Sequence, residues 1–221
     1  MKKALKVMLS LAVVLCLVFS FAACGDTTTT SSEGNTAVIT IKNYGTVSVE
    51  LNADQAPKTV ENFKKLANEG FYNGLTFHRI MSGFMAQGGD PLGNGTGGSD
   101  ENIVGEFSAN GHNNTISHLR GTISMARSGS GYEQYLSYGY KLSDLPAEAK
   151  EDIERAFNSG SSQFFIVHQD STFLDGNYAA FGRVTSGMEV IDKICEDATP
   201  TDDNGTISAS DQPIIESIVI K

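Results

Sequence analysis

The strongest constraint on this chain is a series of short apolar runs separated by glycine-containing turns. Residues 37–42 (AVITIK), 46–51 (TVSVEL), 76–81 (TFHRIM), 84–87 (FMAQ), 121–126 (GTISMA), 163–168 (QFFIVH), 179–184 (AAFGRV) and 214–220 (IIESIVI) are rich in β-branched and aromatic residues. Runs of this length suit strands and are too short for most helices. Asn43-Tyr44-Gly45 between the first two predicts a hairpin. Helical spacing is confined to a few stretches. One opens at Asp54 or Gln55, carries Pro57 in its first turn, sets Val60, Phe63, Leu66 and Ala67 on one side and closes at Gly70. A second covers 187–194, with Met188, Ile191 and Ile194 on one side. Many short strands with two or three helices predict a β-barrel or sandwich with helices at its ends. Charge excludes one functional class. With 16 Lys plus Arg against 26 Asp plus Glu, the net charge is −10, opposite to the basic face of a nucleic-acid binder.

The first 23 residues read as an address. Lys2, Lys3 and Lys6 precede an almost continuously apolar stretch, and Ala22 and Ala23 stand before Cys24. Phe21-Ala22-Ala23-Cys24 resembles a bacterial lipobox, which implies a signal peptide over 1–23 and a lipidated Cys24. Acyl chains bury about 0.8 kcal/mol per CH₂, so the expectation is an exported protein anchored to the membrane on its extracytoplasmic face. Residues 24–35 (CGDTTTTSSEGN) are small and polar and read as a tether, leaving a domain over 36–221. Cys195 is the one thiol of that domain and reads as a buried apolar residue.

One segment breaks the rhythm of strands. Residues 128–162 begin with an aromatic, glycine-containing half (SGSGYEQYLSYGY) and continue with a predicted helix over 146–158. Leu145, Ile153 and Phe157 give that helix only a thin apolar stripe, so the segment reads as a partly helical surface insertion.

The block FHRIMSGFMAQGGD at 77–90 closely resembles the signature of the cyclophilin-type peptidyl-prolyl cis-trans isomerases. APKTVENF (56–63), GNGTGG (93–98), SMAR (124–127), SQFFI (162–166), FLDGNY (173–178) and FGRV (181–184) agree with it in order. The resemblance implies a closed eight-stranded antiparallel β-barrel capped by two helices, with a substrate groove on the outer wall. It assigns the catalytic role to Arg79 and the groove to Phe84, Met85, Gln87, Ala126, Arg127, Gln163, Phe165, Phe173, Leu174 and Tyr178. Phe173 stands where the family typically has Trp, Tyr178 where it has His, and Arg127 where well-known members have Asn. The typical Trp donates its ring N–H to cyclosporin, so weak cyclosporin binding is expected. The implied partners are Xaa-Pro segments of unfolded or exported proteins, met by a monomer without cofactor or metal. The alternative is a non-catalytic proline-peptide binding module or holdase on the same fold.

Strand geometry supplies an independent check. Side chains at i and i+2 share a face, so Met85 joins Gln87 and Gln163 joins Phe165. Each pair sets an apolar group beside an amide, as a surface for a small ring and its adjoining peptide bond requires. Phe164 and Ile166 then face the interior, and His78 points away from Arg79.

Other patterns reduce to ordinary structure. Gly93-x-Gly95-x-x-Gly98 lacks the helix a dinucleotide loop needs. His78, His112, His118 and His168 lack metal-ligand spacing, and SGSG at 128–131 is not a nucleophile elbow. Asp202-Asp203-Asn204-Gly205 begins like a calcium loop, lacks its later ligands, and reads as a turn.

Overall fold

The computed structural model describes residues 34–129 and 131–221. The expected signal peptide, Cys24 and all but the last two residues of the tether lie outside them. Among the described residues, no helix is long and apolar enough to cross a membrane.

Strands β1 (Thr36–Ile41), β2 (Gly45–Leu51), β3 (Thr76–Met81), β4 (Met85–Asp90), β5 (Thr122–Met125), β6 (Phe164–Val167), β7 (Ala179–Ser186) and β8 (Ile215–Ile220) form one sheet. Its order is β3-β4-β6-β5-β7-β2-β1-β8, and every neighbouring pair is antiparallel. The sheet curls until its two edges meet. The Ile215 N–H donates to Leu75 O at 2.7 Å, Gly74 N–H to Ile215 O at 2.8 Å, and Phe77 N–H to Pro213 O at 2.9 Å. Closure satisfies backbone groups that an open edge would leave to solvent or to another chain.

The interior is aromatic and aliphatic, as the alternation predicts. Phe164 and Ile166 are fully buried. Phe63 lies at the centre, with its ring 5.3 Å from Tyr72, 5.5 Å from Phe164 and 5.2 Å from Phe181. Phe63 arrives on helix α1 (Pro57–Asn68), which buries Val60, Phe63, Leu66 and Ala67. Ala56 offers no side-chain cap, so a distant carboxylate substitutes. Glu106 accepts the N–H groups of Lys58 at 3.0 Å and Thr59 at 2.8 Å, and the Thr59 hydroxyl at 2.7 Å. An anion there matches both the orphan donors and the helix dipole.

The insertion carries α2 (Tyr132–Ser137) and α3 (Ala147–Phe157) outside the barrel. Its thin stripe is nevertheless core. Leu145, Ile153 and Phe157 are buried, and the Phe157 ring meets Phe107 edge-on at 5.1 Å. The last helix, α4 (Met188–Asp197), buries Val190, Ile191, Ile194 and Cys195, while Met188 is only partly covered. Burial pushes the Cys195 thiol up to about 11, which keeps it protonated and unreactive.

Candidate active site

A bulge in β3 sets the site. Phe77 pairs with Gly88 and Arg79 with Gln87, so one residue of β4 faces two of β3. The extra residue is His78, and the alternation shifts across it. Phe77 and Ile80, three apart, are both buried in the core, while Arg79 and Met81 are turned toward the outer wall. Bulges re-aim side chains in this way beside functional sites. His78 itself is buried.

On that outer wall, Met85, Phe165, Val167 and Leu174 form a second buried cluster, separate from the core, with Met81, Phe84, Ala126 and Tyr178 packed against it. Above it is a cavity of about 130 Å³ lined by Arg79, Phe84, Met85, Gln87, Ala126, Arg127, Phe165, Leu174 and Tyr178. An apolar cavity of about 150 Å³ accepts one benzene ring. The space therefore suits a single small ring. Gln163 belongs to the adjoining polar cavity of about 590 Å³, which shares Gln87, Ala126 and Arg127 with the first. Phe173 is 71 % exposed at the rim, with its ring 5.5 Å from Phe84.

A directional chain of hydrogen bonds crosses the site. Arg79 Nε donates to Asn204 O at 2.7 Å, and Nη1 donates to Gln87 Oε1 at 3.2 Å. Gln87 Nε2 donates to Gln163 Oε1 at 2.9 Å. Gln163 Nε2 donates to Gly95 O at 3.1 Å and Gly97 O at 2.7 Å. Each amide accepts on one side and donates on the other, which fixes its orientation. The thioethers of Met81 and Met85 lie 3.2 Å from Nη2 and 3.9 Å from Nη1. Partial burial lowers the Arg79 pKa, opposed by Tyr178 and Asp202, and the guanidinium remains a planar cation.

His118, Asp175 and Ser124, to which the sequence assigns no part in the groove, support this wall. His118 stacks on Phe165, with centroids 6.0 Å apart and planes at 18°. Its Nδ1 is 2.8 Å from Asp175 and its Nε2 is 3.1 Å from the Ser124 hydroxyl. Burial pulls its pKa below the usual histidine range, and Asp175 only partly offsets that. Neutral His118 therefore donates to the carboxylate and accepts from Ser124. Arg127 Nε donates to Asn177 O at 3.0 Å, and its guanidinium carbon lies 4.6 Å from the Tyr178 centroid and 5.0 Å from that of Phe157. The ends of the insertion (Ser128, Gly129, Ser159 and Ser161) line the larger cavity, so the segment flanks the groove.

Comparison with known proteins bears on this geometry. A family model described as cyclophilin type peptidyl-prolyl cis-trans isomerase/CLD matches residues 36–138 and 147–220. A Helicobacter pylori peptidyl-prolyl cis-trans isomerase is 41 % identical over 162 residues, covering 72 % of this chain and 80 % of that protein. Peptidyl-prolyl cis-trans isomerase B of Bacillus subtilis is 42 % identical over 143 residues, 65 % of this chain and 78 % of that one. A Cryptosporidium parvum cyclophilin type isomerase, crystallised in the presence of the dipeptide Ala-Pro, superposes with a TM-score of 0.63 at 29 % identity, covering 84 % of this chain and 98 % of that chain.

Proposed function

The chain belongs to the cyclophilin-type peptidyl-prolyl cis-trans isomerases, and from that premise we propose that its outer-wall cavity holds the proline of an Xaa-Pro segment while Arg79 eases rotation about the preceding bond. The reaction makes and breaks no covalent bond. Its barrier is near 18–20 kcal/mol because the amide C–N bond has double-bond character. Uncatalysed exchange takes about 10–100 s, and an acceleration of about 10⁵ requires lowering the barrier by about 7 kcal/mol.

Two effects supply that difference. Phe84, Met85, Phe165 and Leu174 grip the pyrrolidine ring, and Gln87 and Gln163 hold the residue before it, so the carbonyl side turns against a fixed ring. Twisting breaks the resonance, leaves the prolyl nitrogen pyramidal and restores its lone pair. A guanidinium N–H near that nitrogen stabilises the twisted state more than either planar one, and only such a differential interaction accelerates the reaction. The observation that carries this reading is the half-buried Arg79 cation in the wall of a ring-sized cavity that also presents Phe84, Met85, Phe165 and Leu174. A protease-coupled assay on an Xaa-Pro tetrapeptide tests it. Catalysis well above the blank is expected, and a rate equal to the blank leaves only the peptide-binding or holdase reading.

The same proposal places the work on exported proteins, from an anchor at Cys24. Its support is the charged, then apolar, start of the chain and the lipobox-like Phe21-Ala22-Ala23-Cys24. Metabolic labelling with a radioactive fatty acid should mark the full chain and not Cys24→Ser. An unlabelled full chain in a lipoprotein-processing host overturns the anchor and leaves the isomerase reading intact.

A further inference from the structure

The geometry points to Asp202 as a positioning residue for Arg79, acting through the backbone of the loop it organises; this deepens the catalytic reading above and rests on it. Asp202 lies 123 positions after Arg79 in the sequence and leaves that arginine's guanidinium to another loop group. Its side chain folds its own loop. Oδ1 accepts the N–H groups of Asn204 and Thr206, each at 3.0 Å, and Oδ2 accepts the Thr206 hydroxyl at 2.8 Å. The Asp202 carbonyl accepts Gly205 N–H at 3.1 Å. These bonds turn the Asn204 carbonyl toward β3, where it takes the Arg79 Nε–H at 2.7 Å.

The loop is also seated against β3. Ile80 N–H donates to Gly205 O at 2.8 Å, Ile207 N–H to His78 O at 2.9 Å, and Thr206 bridges Arg79. Gly205 makes the approach possible. Its φ is +84°, and a Cβ there would stand 2.5 Å from Met81 Cγ and 2.7 Å from the Ile80 carbonyl. The carbonyl that holds Arg79 is therefore fixed from two directions, by the Asp202 side chain and by the strand.

The consequence is chemical. An arginine side chain has many rotamers open to it, and its fork delivers donors accurately only when its plane is fixed. Holding Nε–H sets Nη1 against Gln87 Oε1 and the Met85 sulfur and Nη2 against the Met81 sulfur, which fixes the plane of the guanidinium in the cavity wall. Release of the loop would let the guanidinium sample orientations in which no donor meets the prolyl nitrogen. The ground-state grip on the ring, made by Met85, Phe165 and Leu174, would be unaffected. The expected signature is a fall in kcat with KM unchanged.

The test is a set of variants of the full chain, assayed with an Xaa-Pro tetrapeptide and checked for an unchanged circular-dichroism spectrum. Asp202→Ala should lower kcat about tenfold, in line with the cost of small misplacements of catalytic groups. Asp202→Asn keeps an oxygen that accepts the Asn204 and Thr206 amides, and should restore most of the rate. In an Arg79→Ala background, Asp202→Ala should have no further effect. The inference is overturned by wild-type kcat in Asp202→Ala, by equal loss in Asp202→Asn, or by an undiminished tenfold loss in the Arg79→Ala background. Failure of the catalytic reading itself would look different, as wild-type activity in Arg79→Ala alone.

Discussion

Arg79 and Gln87 face each other across β3 and β4, and Nη1 of the first donates to Oε1 of the second at 3.2 Å. The pair ties the cation to the amide chain that ends on the Gly95 and Gly97 carbonyls. Removing the cation leaves the core untouched, because Arg79 belongs to the outer wall. Arg79→Ala is expected to lower kcat/KM by about 10²–10³, the usual effect of deleting one transition-state donor. Arg79→Lys should lose nearly as much, since a compact ammonium cannot reach Asn204 O and Gln87 Oε1 together in the plane of a fork. The protease-coupled assay measures both, and near-wild-type kcat/KM in either contradicts the role.

Phe173 bears on inhibitor binding. Its exposed ring leans on Phe84 at 5.5 Å and carries no N–H. Cyclosporin is expected to inhibit weakly. Phe173→Trp restores a donor at the rim, and one net hydrogen bond of about 0.5–1.5 kcal/mol tightens the inhibition constant about 2- to 12-fold. Nanomolar inhibition of the unmodified protein, or no change in Phe173→Trp, would count against that account.

Much of this architecture is legible in the residues. The hairpin at 43–45 and the alternation in 46–51 place β1 and β2 almost to the residue, because one buried face fixes a period of two. The block at 77–90 marks β3, β4 and the turn carrying Phe84. Two things escape such reading. Asn204 acts through its carbonyl, which every residue has, so no side chain signals it; only the closure of the barrel brings it to Arg79. The His118 support is hidden similarly, since a lone histidine between Ser117 and Leu119 says nothing of Asp175, far along the chain, or of the ring it stacks on. The thin stripe of α3 misleads about burial for a third reason. Phe157 needs few neighbours on its own helix because Phe107 and Arg127 cover it from elsewhere.

His118 also sets a pH dependence of stability. Burial lowers its pKa in the folded state, and His78 is lowered by burial too. The unfolded chain then binds more protons between the folded values and the ordinary histidine value of about 6.5. Stability is complete above that value and falls as pH drops below it, with a slope of at most about 1.4 kcal/mol per pH unit for each histidine. Urea midpoints should fall between pH 7 and pH 5. His118→Gln can donate to Asp175 and accept from Ser124 without titrating, so its profile should be shallower. An unchanged slope would assign the dependence to other groups.

The insertion makes two contributions that substitution separates. Phe157 is buried between Phe107 and the Arg127 guanidinium, 5.0 Å from its carbon. Phe157→Ala should cost about 3–5 kcal/mol, the range for emptying an aromatic core position. For a domain of this size that lowers Tm by about 6–20 °C. Deleting the whole segment would therefore damage the core and confound any effect on recognition. Tyr138 and Tyr140 avoid that difficulty, being 69 % and 51 % exposed on the same segment. Tyr138→Ser with Tyr140→Ser should shift Tm by little, since exposed substitutions usually change stability by less than about 0.5 kcal/mol. Tetrapeptide turnover should stay at the wild-type level, because a short substrate fills only the groove. If the segment beside the groove contacts larger chains, the rate on a proline-limited folding protein should change. Equal losses on peptide and protein would instead make the segment purely structural.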